Sequence, residues 1–436
     1  QFASSAASDV YKRQMEFFFD SPILILATAS ALGLFMAWGI GANDVANAMG
    51  TSVGSKAITL KQAVIIAAIF EFLGAYLAGG EVTSTIRKGI VDPKIFQDDP
   101  DIFILGMMSC LLAAGLWLLL ASRRGWPVST THSIVGAIVG FALISKGASS
   151  VSWDKILEIA SSWVTSPLIS GFLAFFIYLS AKKLVLEKEN QLNAAVNIIP
   201  IYSFLVTLVI CLVTTKKGLK YVGLVWSDSE VLTYSVIISI LVSIVTAIFL
   251  RLNKESLRSE NKYGLGGVEG AFGILMIITA CSMAFAHGSN DVANAIGPLA
   301  AIVNVVQSDG LIDTTSASPS WILFLGAFGI VFGLATLGHK VIKTVGEKIT
   351  KLTPSLGFSA NMATSTTVVL ASYMGFPIST THTLVGAVIG VGLVNSVKAL
   401  DLKQILKIFL SWIITIPIGA VFTIVFYLIL RFILIT

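Results

Sequence analysis

Charge is scarce in this chain. Only 12% of its 436 residues are Asp, Glu, Lys or Arg, while 55% are hydrophobic. An ordinary globular domain carries about 25% charged residues, so a soluble protein with a surface of usual polarity is excluded. Cysteine is scarce too: Cys110, Cys211 and Cys281 each lie inside an apolar run, odd in number and without metal-ligand spacing. That argues against a disulfide framework or a zinc site and leaves three small packed hydrophobes. No HExxH pattern occurs, and no Ser sits in the turn that exposes a nucleophile, so the chain reads as no enzyme. No filter ring or polar-lined pore marks a channel. Basic clusters of the kind that bind nucleic acid are missing as well. The net charge of +5 is spread through short links between apolar runs, which is the pattern of membrane topology.

What the chain has in quantity is apolar length. Runs fall near 23–42, 59–80, 102–121, 128–145, 155–180, 199–214, 231–250, 270–287, 320–338, 358–373, 378–396 and 408–430. These roughly 12 segments approach the ~20 residues needed to cross a bilayer, more than a soluble core could hide. The expected fold is an all-α integral membrane protein with about 12 transmembrane segments. Residues 1–22 read as an N-terminal tail, and the first stretch, QFASSAASDVYKRQ, is set outside the fold as a tail or artefact. A cleavable signal is not required, because the span from Ile23 can itself direct insertion.

The chain repeats itself. GANDVANAMG (Gly41 to Gly50) returns as GSNDVANAIG (Gly288 to Gly297), and WPVSTTHSIVGAIVG (Trp126 to Gly140) as FPISTTHTLVGAVIG (Phe376 to Gly390). SSWVTSPLISG near Trp163 is echoed by LSWIITIPIGA near Trp412. The expected organisation is transmembrane repeat 1 at 23–180, a connector at 181–269 with two transmembrane helices and the charged loop 251–264, and repeat 2 at 270–436. An odd number of crossings before the second repeat makes the repeats inverted. With both termini outside the cell membrane, Arg123, Arg124, Lys182, Lys183, Arg251, Lys254 and the cluster from Lys340 to Lys351 face the cytoplasm, whereas Arg87, Lys88, Lys216, Lys217 and Lys220 do not. Glycine around each Asn-Asp motif predicts broken helices there, and the STTH runs either span or re-enter.

Polar residues inside such sequence need a reason. A carboxylate at bilayer depth costs about 2.5–3.5 kcal/mol or more unless it finds partners. Interhelical hydrogen bonding by a protonated Asp is the plain alternative, but ND-V-AN is written twice at matching places. Asn43, Asp44 and Asn47 offer hard oxygen ligands, with positions 44 and 47 on one helical face, a set suited to sodium. The expected sodium ligands are Asp44, Asn47, Asp291, Asn294 and Glu71. In PVSTTH and PISTTH, Pro127 and Pro377 stop a preceding helix, and Ser129 or Ser379 can cap the next. A helix N-terminus offers free N–H groups and partial positive charge to an anion. The expected anion ligands are Ser129, Thr130, Thr131, Ser379, Thr380 and Thr381, with Asn43 and Asn290. Neither motif contains Lys or Arg, so an anion bound beside two aspartates must bring cations with it. Asn361, His132 and His382 are accessory candidates, with a histidine bonded to a local carbonyl as the plain reading. Glu71 has no carboxylate counterpart in the second repeat, and His287 no counterpart in the first.

These residues resemble a known family. GANDVANAMGTSVGSKAITLKQA, the IFEFLG that follows, STTH and GSNDVANAIGPLAA look like the signature of the inorganic phosphate transporter family over nearly the whole chain beyond residue 23. The resemblance implies a carrier of inorganic phosphate with substrate and coupling ions near the midplane. The NDVAN spelling and the IFE glutamate resemble its sodium-dependent branch, in which a second glutamate often stands where this chain has Asn361. The expectation is a sodium-coupled phosphate symporter working by alternating access, with sodium as coupling ion, no other cofactor, the lipid bilayer as surroundings and oligomeric assembly left open. The alternative is a proton-coupled transporter of phosphate, metal phosphate or sulfate.

Overall fold

The computed structural model describes residues 18–218, 226–259, 265–308, 310–312, 319–342, 352–395 and 402–435. The tail 1–14, the end of the charged loop beyond Ser259 and most of the Lys340 to Lys351 cluster lie outside the described residues. Within them the chain is helical, and the only strand-like pairing is an isolated bridge between Val91 and Val151. In chain order the helices are α1 (Pro22–Asn43), α2 (Val45–Gly54), α3 (Leu60–Ala78), α4 (Gly80–Lys88), α5 (Pro100–Arg123), α6 (Thr130–Lys146), α7 (Trp153–Ala181), α8 (Gln191–Val213), α9 (Asp228–Leu252) and the short α10 (Lys254–Arg258). Then come α11 (Gly267–Gln307), α12 (Ser320–Gly333), α13 (Pro354–Tyr373), α14 (Thr380–Asn395) and α15 (Leu402–Leu434). The protein is an all-α membrane protein.

Among the described residues, 9 helical stretches are long and apolar enough to cross a bilayer. The other three expected runs form helices of a different kind. α6 has 17 residues, a length of about 25 Å that falls short of a bilayer core, and α14 has 16. The 20-residue α13 buries Ser355, Ser359, Asn361 and Thr364, so its composition is too polar for a lipid-facing span.

Neighbouring helices exchange partners between the two halves of the chain. α3 of the first half packs on α11 of the second, and α12 of the second packs on α1 of the first; likewise α6 packs on α15, and α14 on α7. Missing side chains make this possible. A Cβ at Gly41 would collide with the carbonyl of Ile330, and one at Gly288 with the carbonyl of Glu71; Gly136 meets Ile416, and Gly386 meets Pro167, in the same way. α1 and α11 run in opposite directions where they cross, since Gly33 packs on Leu299 while Asp44 lies beside Asp291.

The expected helix breaks at the Asn-Asp motifs are largely absent. α11 runs unbroken through its motif for 41 residues. The first copy has only a single turn residue, Asp44, whose φ of −86° and ψ of −17° remain helical. The motif glycines Gly41 and Gly288 serve close helix approach rather than freeing backbone carbonyls.

Candidate functional site

Each STTH segment follows the same local plan. After α5 the chain turns at Gly125 (φ 65°), passes Pro127 to an extended Ser129, and restarts as α6, with Ser129 Oγ accepting from His132 N at 3.2 Å. After α13 it turns at Gly375 (φ 76°), and Ser379 Oγ accepts from His382 N at 3.3 Å. Both serines are therefore helix caps, as their position after proline predicted.

The motif asparagines brace these turns. Asn43 Nδ2 donates to Trp126 O at 2.9 Å and to Ser122 Oγ at 3.2 Å, while its Oδ1 accepts from Val128 N at 3.1 Å. Asn290 Nδ2 donates to Ser372 Oγ at 3.0 Å and to Phe376 O at 3.1 Å. Next in line, the aspartates receive the threonines: Thr130 Oγ1 donates to Asp44 Oδ2 at 2.7 Å, and Thr380 Oγ1 to Asp291 Oδ2 at 2.9 Å. The second motif asparagines cross between repeats. Asn47 Nδ2 donates to Thr381 Oγ1 at 2.8 Å, and Asn294 Nδ2 to Thr131 Oγ1 at 3.2 Å. All of these side chains are buried, none more than 3% exposed. The structure thus brings both NDVAN motifs and both STTH helix starts into one cluster.

His132 and His382 sit behind their helix starts. Nδ1 of His132 faces Trp412 O at 3.2 Å, and Nδ1 of His382 faces Trp163 O at 3.3 Å. A carbonyl only accepts, so Nδ1 carries the proton in each ring. The plain reading anticipated a carbonyl partner, but a local one; these carbonyls come from the other repeat, 280 and 219 positions away.

Glu71 and Asn361 lie at the cluster's margins. Asn361 Oδ1 accepts from Thr51 Oγ1 at 2.6 Å, and its Nδ2 donates to Ser52 Oγ at 3.3 Å, linking α13 to α2. Glu71 Oε2 is 2.7 Å from His287 Nδ1. His287 Nε2 lies 2.9 Å from Asp291 Oδ2, an ion-pair distance whose direction departs from a straight hydrogen bond. Sequence reasoning set His287 aside because the first repeat has no histidine there. The available signal was its spacing of four from Asp291, which puts both on one helix face.

Charge can be counted from these contacts. Two lone pairs cannot face each other at 2.7 Å, so the contact between His287 Nδ1 and Glu71 Oε2 holds a proton. With two carboxylates against one imidazole, the group Glu71, His287 and Asp291 stays net negative even when the imidazole is charged. Ligand atoms of Asp44, His287 and Asp291 all lie within 4.8 Å of one another. Asp44 accepts at both oxygens, Oδ2 from Thr130 and Oδ1 from Asn47. By contrast, Asp291 Oδ1, Asn290 Oδ1, Asn294 Oδ1 and Glu71 Oε1 are buried acceptors with no hydrogen-bond donor among the described residues. Buried oxygens of that kind are the hard ligands a small cation takes.

Similarity to known proteins covers almost the whole chain. Residues 40–423 match the phosphate transporter family. A Haemophilus influenzae protein named as a phosphate permease is 54% identical over 411 residues, covering 94% of this chain and 97% of its own length. The Arabidopsis thaliana "Inorganic phosphate transporter 2-1, chloroplastic" is 41% identical, covering 94% of this chain and 74% of its own. A solved structure described as "The sodium-dependent phosphate transporter" superposes with a TM-score of 0.84 at 40% identity, covering 94% of this chain and all of that one. The chain, with its doubled NDVAN and STTH motifs gathered at one buried cluster, belongs to the phosphate transporter family.

Proposed function

We propose that this chain is a sodium-coupled inorganic phosphate symporter, built on two inverted repeats and working by alternating access. The observation that carries the reading is the meeting of two helix N-termini with two aspartates and, among the described residues, no Lys or Arg. The starts of α6 and α14 attract an anion, each with roughly half a positive charge. Phosphate brings roughly −1.5 charge near neutral pH by analogy with phosphomonoesters, beside Asp44 and the negatively charged Glu71–His287–Asp291 group. Sodium ions at the aspartates make that assembly bearable. The antiparallel crossing of α1 and α11 and the name of the structural neighbour support the reading.

The hydrogen bonds suggest how the two ligands are linked. Thr130 and Thr380 each donate to one oxygen, Oδ2, of the aspartates that a cation would use. Sodium arriving there competes for the carboxylate and releases the hydroxyls, which then donate to phosphate together with Thr131, Thr381 and the helix N–H groups of the Ser129 and Ser379 caps. Asn47, Asn294 and Glu71 complete the cation's surroundings. Neither ligand is well held without the other, which is the coupling a symporter requires.

The Glu71–His287–Asp291 contacts favour one rival, coupling to protons. Radiolabelled phosphate uptake into proteoliposomes separates the two. The proposal expects accumulation under a sodium gradient and none when choline replaces sodium; uptake in choline driven by an imposed proton gradient would overturn it.

A further inference from the structure

Two cavities lie at opposite ends of α11, and the sequence repeat pairs them. One, about 550 Å³, is lined by Ser55 and Lys56 after α2, Arg258 of α10, Glu269 at the start of α11 and Thr353 before α13. The other touches Arg87, Lys88, Phe103, Ala301 and Asn304 and is closed to about 10 Å³. Repeat register matches Gly54 with Ala301 and Thr353 with Phe103, so these are corresponding places of very different size.

Their connections to the buried cluster differ in chemistry. From Asp44 and Asn47, α2 carries Thr51 and Ser55 toward the wide cavity, all buried. Asn361 bonds to Thr51 and Ser52 beside this line. Farther along α13, Ser355 donates from N and from Oγ to Glu269 at 2.9 and 2.7 Å. The corresponding residues toward the narrow cavity are Pro298 for Thr51, Ile302 for Ser55, Leu111 for Asn361 and Leu105 for Ser355, each buried. An anion moving without its water needs hydrogen-bond donors along its way, and at these four matched positions only the direction of the wide cavity provides them.

At the mouth of the polar direction stand two exposed cations. Lys56 occupies the one non-glycine position with positive φ (62°) among the described residues, in the turn that ends α2. Arg258 gives one nitrogen to Glu255 at 2.9 Å and keeps its other N–H groups. Glu269 shares the cavity, but both its oxygens are taken by Ser355.

We propose that this cavity is an antechamber on the phosphate route, a weak oxyanion site held by Lys56 and Arg258 that needs no sodium. It rests on reading the Asp44–Asp291 cluster as the place where phosphate and sodium meet. The antechamber has cationic side chains of its own, unlike that cluster, and so can hold phosphate before the sodium-dependent step.

The test is the linewidth of the inorganic phosphate ³¹P signal with purified protein in a phosphorus-free detergent, in choline at low ionic strength. Wild type should broaden the signal, and K56Q/R258Q should cut that broadening at least about five-fold. D44N/D291N should keep it. Sodium-dependent phosphate binding by K56Q/R258Q, read by calorimetry, should stay within about two-fold of wild type, which also reports an intact fold. Equal broadening by wild type and K56Q/R258Q would overturn the proposal, as would its loss in D44N/D291N or its absence from wild type. If the broadening behaves as expected but no sodium-dependent binding exists, the symporter reading fails and the antechamber stands.

Discussion

The two halves of this chain spell nearly the same motifs and surround them differently. Around Asp44 the neighbours from the facing positions are Ile40 and Ile330; around Asp291 they are His287 and Glu71. All four are fully buried. The correspondence follows from geometry, because Gly41 presses on the Ile330 carbonyl as Gly288 presses on that of Glu71. One aspartate is thus satisfied by neutral donors, with isoleucine at both of these positions. The other lies within 2.9 Å of His287, which is itself bonded to Glu71, and keeps an oxygen open. A duplicated site does not stay duplicated in its electrostatics, and identity of motif is a poor guide to equality of role.

The largest effects should come from removing what the halves share. D44N and D291N each delete a carboxylate that offsets a bound cation, and each is expected to lower sodium-driven uptake at least about a hundred-fold, or ~2.7 kcal/mol, with expression intact. Uptake near wild type in either variant would break the assignment of that half to cation binding.

The next test makes the halves alike. H287I leaves Glu71 buried without its partner and should destabilise the protein by about 3–5 kcal/mol, whereas E71I/H287I, which copies the first half, should recover most of that loss. Thermal unfolding in detergent reads both. A double variant no more stable than H287I would mean that the pair does more than compensate its own burial.

A smaller difference separates α13 from α5. N361L copies Leu111 and strands the Thr51 hydroxyl, costing about 1–3 kcal/mol in the same melting assay. An unchanged melting temperature would show that the Thr51 contact contributes nothing net. The smallest expected effect is symmetric: S129A and S379A each remove a helix cap worth about 1 kcal/mol, and the two losses in stability should agree. Unequal losses would show that the matched cap geometry hides unequal strain.

Much of this was legible in sequence because it depends on local signals. Proline followed by Ser-Thr-Thr marks a helix start wherever it occurs, so Ser129 and Ser379 were identified as caps without coordinates. The doubled NDVAN pattern likewise marked Asp44, Asn47, Asp291 and Asn294. What sequence hid was mostly relation across distance. Nothing near Asn47 in the chain announces Thr381 as its partner, 334 positions away. Glu71 was noticed as a buried carboxylate, but its partner His287 is 216 positions off. The motif glycines misled for the same reason: glycine permits a break and permits contact, and only the facing carbonyls of Ile330 and Glu71 decide which.

The exchange of helices between the halves has a consequence for how the protein is made. Gly171 of α7 rests against Gly386 of α14, and Glu71 of α3 against Gly288 of α11. Each early helix therefore inserts roughly two hundred residues before its partner exists, a wait of about 10–40 s at ordinary translation speed. During that time glycine-lined faces and a buried carboxylate are open to lipid or to other membrane proteins. The half-built chain is therefore the form most dependent on help from the insertion machinery.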